Sequence, residues 1–143
     1  MMSSSLISQG FIREEFLRSH LDEIIRAEDI LMDVARSAGF AEERIPLFIV
    51  AVTEAISNAI LHGNRQEAAK QVQLRFVWNP EDHLLTVEVR DEGEGFDPSN
   101  LPDPTESENL LRETGRGIFL MRNLADEVIF KERGRCVELR FRP

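Results

Sequence analysis

The spacing of apolar residues changes period once along this chain, near Gln71, and that change dictates how its elements can be layered. Before it, the spacing is helical. Leu21, Ile24, Ile25, Ile30, Leu31 and Val34 recur three and four apart, the repeat that lines one face of a helix. Ser19 is placed to act as N-cap, with Asp22 in the first turn and Gly39 where a left-handed residue would end the helix. A second helix is predicted over about 43–62, with Pro46 tolerated in its first turn and Gly63-Asn64 at its close. After Gln71, Val72, Leu74, Phe76 and Trp78 alternate with polar neighbours, and Leu85, Val87 and Val89 do the same beyond the turn Asn79 to His83. This is the pattern of a β-hairpin with one buried face. Val128-Ile129-Phe130 and Val137 to Phe141 predict a last hairpin around Arg133-Gly134, and Phe11 to Leu17 a short leading strand. Helices followed by hairpins predict a two-layer α/β (α+β) sandwich, a mostly antiparallel mixed sheet with helices on one face.

The 143 residues, 42% of them hydrophobic, fit a single domain over 1–143 with a core that needs no disulfide or metal. A net charge of −9 repels phosphate backbones and anionic lipid, so neither nucleic acid nor a membrane surface is an expected partner. Met1 to Gly10 lacks the basic and apolar regions of a signal peptide. The apolar stretch Ile45 to Ile60 is broken by Thr53, Glu54, Ser57 and Asn58 and is not expected to span a bilayer. Cys136 is the sole cysteine, which permits no internal disulfide and suits a reducing, cytoplasmic setting; in its strand-like run it reads as packing.

Three segments could carry chemistry. On the second helix each residue advances about 100°, so Glu54, Asn58 and Leu61 share one face, Val52, Ile56 and Ile60 lie opposite, and His62 follows Asn58 at the next i+4 step. A carboxylate can take the proton of an attacking hydroxyl, and an asparagine amide oxygen suits a hard Mg²⁺ that carries phosphates. By itself the same face could be a solvated helix edge. The second segment, Asp91-Glu92-Gly93-Glu94-Gly95-Phe96-Asp97, follows a strand and puts an acid beside two glycines that let backbone turn closely around a ligand. Taken alone, it could be an ordinary acidic turn. The third, Thr114-Gly115-Arg116-Gly117, precedes a short helix predicted from Ile118 to Leu124, where free N–H groups favour phosphate; Arg112 and Arg116 add positive charge. Between these glycine pairs the chain is rich in Gly, Pro and acids, and a loop of about 20 residues in a compact domain is usually functional. Residues 98–114 are therefore predicted to form a lid. The Rossmann and Walker glycine patterns are both absent from the sequence.

In order, Glu54-Ala55-Ile56-Ser57-Asn58-Ala59-Ile60-Leu61-His62-Gly63-Asn64, Asp91 to Phe96, and Gly115-Arg116-Gly117-Ile118-Phe119-Leu120-Met121 resemble the N, G1 and G2 boxes of the GHKL ATPase superfamily. The small size, the form of the N box and the stretch Leu120 to Val128 resemble the anti-sigma-factor serine protein kinases, over roughly residues 10–142. The resemblance implies a Bergerat-type ATP-binding fold using ATP and Mg²⁺, with Glu54 as general base toward a partner's serine and Asn58 as the Mg²⁺ ligand. It implies Asp91 on the adenine amine with Gly93, Gly95 and Phe96 around it, and Gly115, Arg116, Gly117 and Ile118 near the phosphates. His62 matches a position near the phosphates, and a helix-end histidine favoured by the helix dipole explains it equally well. The family implies a sigma factor that is bound and silenced, an antagonist protein phosphorylated on serine, and, commonly, homodimers.

Three other functions compete with this one. Ser19-His20-Leu21-Asp22-Glu23 loosely resembles the phosphoacceptor segment of a histidine kinase, but a dimerising two-helix module would have to fit before the ATP domain; His20 is read as an ordinary residue of a first helical turn. A nucleotide-gated binder that transfers no phosphate is the second, and the presence of Glu54 favours catalysis over it. A gyrase-like cycle would need a transducer domain that a chain of this length is not expected to hold.

Overall fold

The computed structural model describes residues 9–94 and 117–143. The predicted lid, 98–114, and the site candidates Gly95, Phe96, Gly115 and Arg116 lie outside the described residues. Five strands, β1 (Phe11–Arg18), β2 (Gln71–Asn79), β3 (Leu84–Arg90), β4 (Glu127–Lys131) and β5 (Cys136–Phe141), make one sheet in the order β1-β2-β3-β5-β4. Among the described residues every pairing is antiparallel, so the expected mostly antiparallel sheet shows no parallel pair there. Three helices, α1 (Glu23–Ser37), α2 (Ile45–Asn58) and α3 (117–124), accompany it.

The two-residue period of the strands explains the register. Trp78, Leu85 and Phe141 form one transverse row, Phe76, Val87 and Leu139 the next, and Leu74, Val89 and Val137 a third. All nine are buried, because a one-residue slip would turn each row to the opposite face. Phe48 of α2 fills the space between Phe40 and Phe141, with ring centroids 5.0 and 4.9 Å away. The other face of the sheet is charged: Lys131 bridges Glu88 and Glu138, and Arg140 also reaches Glu138. Cys136 lies on this face rather than in the apolar core, fully buried with its sulfur 3.7 Å from Glu88 Oε2. Burial pushes its thiol above its ordinary pKa, which keeps it protonated and agrees with a packing role.

The helices depart from the predicted pattern in informative ways. Leu21 and Ile25 are exposed, and the buried stripe of α1 is instead Ala27, Ile30, Leu31, Val34 and Ala35. The alanines were invisible to a search for large apolar residues, yet their small size lets α1 approach its neighbours. Ser19 does not cap α1. Its hydroxyl is buried without a hydrogen-bond partner, and the helix starts four residues later, behind Asp22. The junction is held by Glu23, whose carboxylate accepts from the Arg18 amide, from Arg18 Nε and from Arg26 Nε. His20 sits ahead of the helix rather than inside it, with Nδ1 accepting from the Asp22 amide. Gly39 adopts φ +77° after α1, as its position predicted.

The second predicted helix is three pieces: a 3₁₀ turn (Glu42–Arg44), α2, and a π turn (Ala59–Gly63). Taken together, Glu42–Gly63 is long and apolar enough to cross a membrane by length and composition alone, with mean hydropathy 1.6 over its most apolar 18 residues. That corrects the expectation that its polar residues disqualify it on composition. Its apolar side is spent on the sheet instead: Phe48, Val52, Ile56 and Ile60 are at most 1% exposed, which marks a core helix.

Burial works to raise the Glu23 carboxyl, but the hydrogen bonds from Arg26 and Arg18 prevail and bring its pKa to about 2, below the ordinary 4.5. A carboxyl depressed on folding stabilises above its unfolded pKa and loses that contribution as pH falls through the folded one. Glu23→Gln is expected to lower the unfolding midpoint at pH 7, with the gap from wild type closing between about pH 4.5 and pH 2. Urea titrations across that range check it, and a gap that does not change with pH would refute it.

Candidate functional site

Burying Val52, Ile56 and Ile60 on the sheet leaves Glu54 and Asn58 on the flank of α2, where both are half-buried. The start of α3 lies against them. A Cβ built on Gly117 would stand 2.9 Å from Asn58 Nδ2 and 3.2 Å from Glu54 Oε2. A side chain at Gly117 would have to push the ends of Asn58 and Glu54 aside, so the second helix and the second glycine pair, distant in sequence, meet closely at Gly117. Ile118 is buried beside it as a core residue.

Asp91 and Gly93 lie at the C-terminal end of β3. Asp91 Oδ1 accepts from the Gly93 amide at 2.8 Å, and the Asp91 amide donates to Arg135 O at 2.8 Å. Burial pushes the Asp91 carboxyl above its ordinary pKa, opposed by the Gly93 amide and by the charges of Arg135 and Lys70. Asn58 and Asp91 line one pocket together with Ala55, Ala59, Val89, Met121, Phe130, Gly134 and Val137. An apolar pocket with one carboxylate and one amide suits a flat heteroaromatic ring bearing an amine. Its volume is about 20 Å³, so a ring of that kind enters only if the rim moves apart.

The N-box segment also contributes two residues to which sequence reasoning assigned no role. Gly63 packs so tightly on Asp91 and Gly93 that a Cβ on it would collide with the Asp91 carboxylate, and one on Gly93 would collide with the Gly63 carbonyl. Asn64 is fully buried and ties three elements together. Its Nδ2 donates to Gln71 O at 2.9 Å, its Oδ1 accepts from the Glu92 amide at 2.7 Å, and the Gln71 amide donates to Glu92 Oε1 at 2.8 Å. Gly-Asn was read only as a helix stop. The available signal was that a buried asparagine at a helix end must find partners for its amide.

His62 falls in the π turn rather than on the α-helical line through Glu54 and Asn58. The wider turn changes the angular step, so the expected i+4 continuation from Asn58 is not kept. Among the described residues no group of three or more His, Cys, Asp or Glu side chains could hold a metal ion. The Asn58 side-chain oxygen is a neutral donor of the kind that suits a hard cation carrying phosphates.

Residues 17–141 match the histidine kinase-like ATPase domain family. The serine-protein kinase RsbW of Oceanobacillus iheyensis is 36% identical over 104 residues, covering 68% of this chain and 65% of that protein. RsbW of Staphylococcus epidermidis is 31% identical over 116 residues, covering 76% and 72%, and RsbW of Bacillus subtilis 33% over 104 residues, covering 68% and 64%. The chain thus spans a little under two thirds of the length of the Oceanobacillus and Bacillus proteins. With the five-stranded antiparallel sheet, the helix layer and the junction of Glu54, Asn58 and Gly117, these similarities show that the chain belongs to the GHKL-type histidine kinase-like ATPase family, in the branch of the anti-sigma-factor serine protein kinases.

Proposed function

We propose that this protein is an ATP-dependent protein serine kinase that binds a sigma factor and phosphorylates a serine of an antagonist of that binding. The observation that carries this reading is the approach of Gly117 to both Glu54 and Asn58, which brings a proton acceptor, a neutral oxygen ligand and the glycine backbone of α3 to one place. Phosphoryl transfer needs those three functions and little covalent chemistry from the protein.

In this reading the adenine enters the pocket lined by Val89, Asp91, Met121 and Val137, and its exocyclic amine donates to the Asp91 carboxylate. The Gly93 amide occupies Oδ1 and holds the carboxylate in one orientation. The triphosphate runs toward the α3 backbone at Gly117, where a close approach of phosphate needs a residue without a side chain. Asn58 is the residue that would hold Mg²⁺, whose charge would offset that of the phosphate oxygens. Glu54 accepts the proton of the partner's serine as its oxygen bonds to the γ-phosphorus and the bond from that phosphorus to the β,γ-bridging oxygen breaks, leaving ADP. Similarity to the serine-protein kinases RsbW supports the serine kinase part, and the resemblance to that family is the support for a sigma factor and an antagonist as partners.

Two outcomes test this. Glu54→Ala is expected to cut transfer of labelled phosphate to antagonist serine about 10²–10⁴-fold with nucleotide affinity kept; transfer at the wild-type rate would leave a nucleotide-gated binder without catalysis as the better reading. Gly117→Ala separates site from fold. Gly117 is not among the positive-φ glycines, so alanine suits the helix and can add a few tenths to about 1 kcal/mol of stability. Its methyl group nevertheless displaces Asn58 and Glu54. Calorimetry should find weaker Mg-ATP binding alongside an equal or higher melting temperature, and affinity unchanged by this methyl would count against phosphates lying there.

A further inference from the structure

The geometry points to Asn64 as a positioning residue for adenine selectivity: the closed set of hydrogen bonds among Asn64, Gln71 and Glu92 holds the Asp91 carboxylate where it can tell a purine amine from a purine carbonyl. The inference rests on the reading of Asp91 as the adenine acceptor. Asn64 is fully buried and its side chain uses both ends, donating to the Gln71 carbonyl and accepting from the Glu92 amide. Only one orientation of the amide satisfies both partners. The Gln71 amide donates to Glu92 Oε1 and closes the set, while the Asn64 amide donates to Ala59 O at 2.7 Å and anchors the π turn. Start of β2, end of β3 and end of the helix are thereby fastened at one point.

Glu92 is the residue between Asp91 and Gly93. The Asn64 bond fixes the Asp91–Glu92 peptide, the Gln71 amide holds the Glu92 side chain, and the next peptide supplies the Gly93 amide that donates to Asp91 Oδ1. The tight seat of Gly63 against Asp91 and Gly93 blocks the carboxylate from retreating toward the helix. Asp91 therefore has few places to go while Asn64 is in place. Selectivity between an amine and a carbonyl depends on such rigidity, because a carboxylate free to swing away from a carbonyl oxygen escapes the repulsion that rejects it.

The test compares ATP with ITP, which keeps the purine outline and the triphosphate and exchanges the 6-amine for a carbonyl. Dissociation constants are measured with Mg²⁺ for wild type, Asn64→Ala and Asp91→Asn, with thermal unfolding of each. Wild type is expected to prefer ATP by at least about tenfold, and Asn64→Ala to bring the two affinities within about threefold of each other, chiefly by relieving the rejection of ITP. A purely structural role would lower the melting temperature and weaken both nucleotides in parallel. If Asn64→Ala does not unfold cooperatively, Asn64→Asp keeps the bond from the Glu92 amide, loses the donor to Gln71, and is expected to lower the ratio by a smaller factor. A wild-type ratio in a cooperatively folded Asn64 variant, with the ratio lost in Asp91→Asn, overturns the role of Asn64 alone. A ratio that survives in Asp91→Asn overturns the reading of Asp91 and this inference with it.

Discussion

The seam between α2 and the sheet determines where everything else at the site can stand. Phe48, Val52, Ile56 and Ile60 are at most 1% exposed, and burying each such side chain contributes about 1.5–3 kcal/mol. No single polar contact on this helix competes with that sum. The rotation of α2 about its axis is therefore set by its apolar stripe, and Glu54 and Asn58 are carried to the flank, where α3 crosses them at Gly117. The placing of Glu54 and Asn58 on this flank is thus a by-product of core packing, and a change that rotated α2 would displace the acid and the amide together.

A seam of this kind positions one helix against one sheet but says nothing about the loops at their ends. There the structure changes its means, from apolar burial to close backbone approach and directed hydrogen bonds. The π turn at Ala59–Gly63 redirects the chain, Gly63 and Gly93 let two loops touch where a methyl group would collide, and Asn64 satisfies two backbone groups that the departing helix and strands leave open. Turns of this type occur mainly as single turns at functional sites. The cost of opening the helical ladder is met by bonds reaching across to β2 and β3.

Periodicity made the layers legible in advance, because a fully buried face constrains every second or every third and fourth residue: the rows through Phe76 and Leu74, and the line Val52-Ile56-Ile60, follow directly from that rule. Legibility ended where burial did not discriminate. Leu21 and Ile25 looked like core and are exposed, while Ala27 and Ala35 looked neutral and are buried, since what α1 needed there was proximity rather than bulk. Ser19 had the composition of an N-cap, but Glu23 reaches back to the Arg18 amide and takes over the junction, a tertiary solution that local capping rules do not anticipate. At the site, Glu54, Asn58 and Gly117 were named from the sequence and come together, as do Asp91 and Gly93. His62 was aligned by an α-helical step that the π turn does not keep, and Asn64 was passed over because its partners are 7 and 28 residues away.

Asp91 shows why such a site is not simply a well-packed corner of the fold. Burial raises its pKa, and the Gly93 amide with the distant charges of Arg135 and Lys70 offsets this only in part, since the net shift is still upward. Elsewhere the protein compensates its carboxylates fully: Glu88 sits below its ordinary pKa beside Lys131 and Arg75, as does Glu138 beside Lys131 and Arg140. Glu23, also buried, is held lower still. Among the described residues, Glu23, Glu88 and Glu138 are thus held by arginine and lysine, while Asp91 is left short of donors. Asp91 adjoins an apolar pocket, and a ligand donating a hydrogen bond there would be stabilised by the deficit that folding leaves. The same imbalance would make an added cation near Asp91 favourable for folding and harmful to ligand binding, since it would supply from within the protein the partner that the pocket otherwise takes from outside.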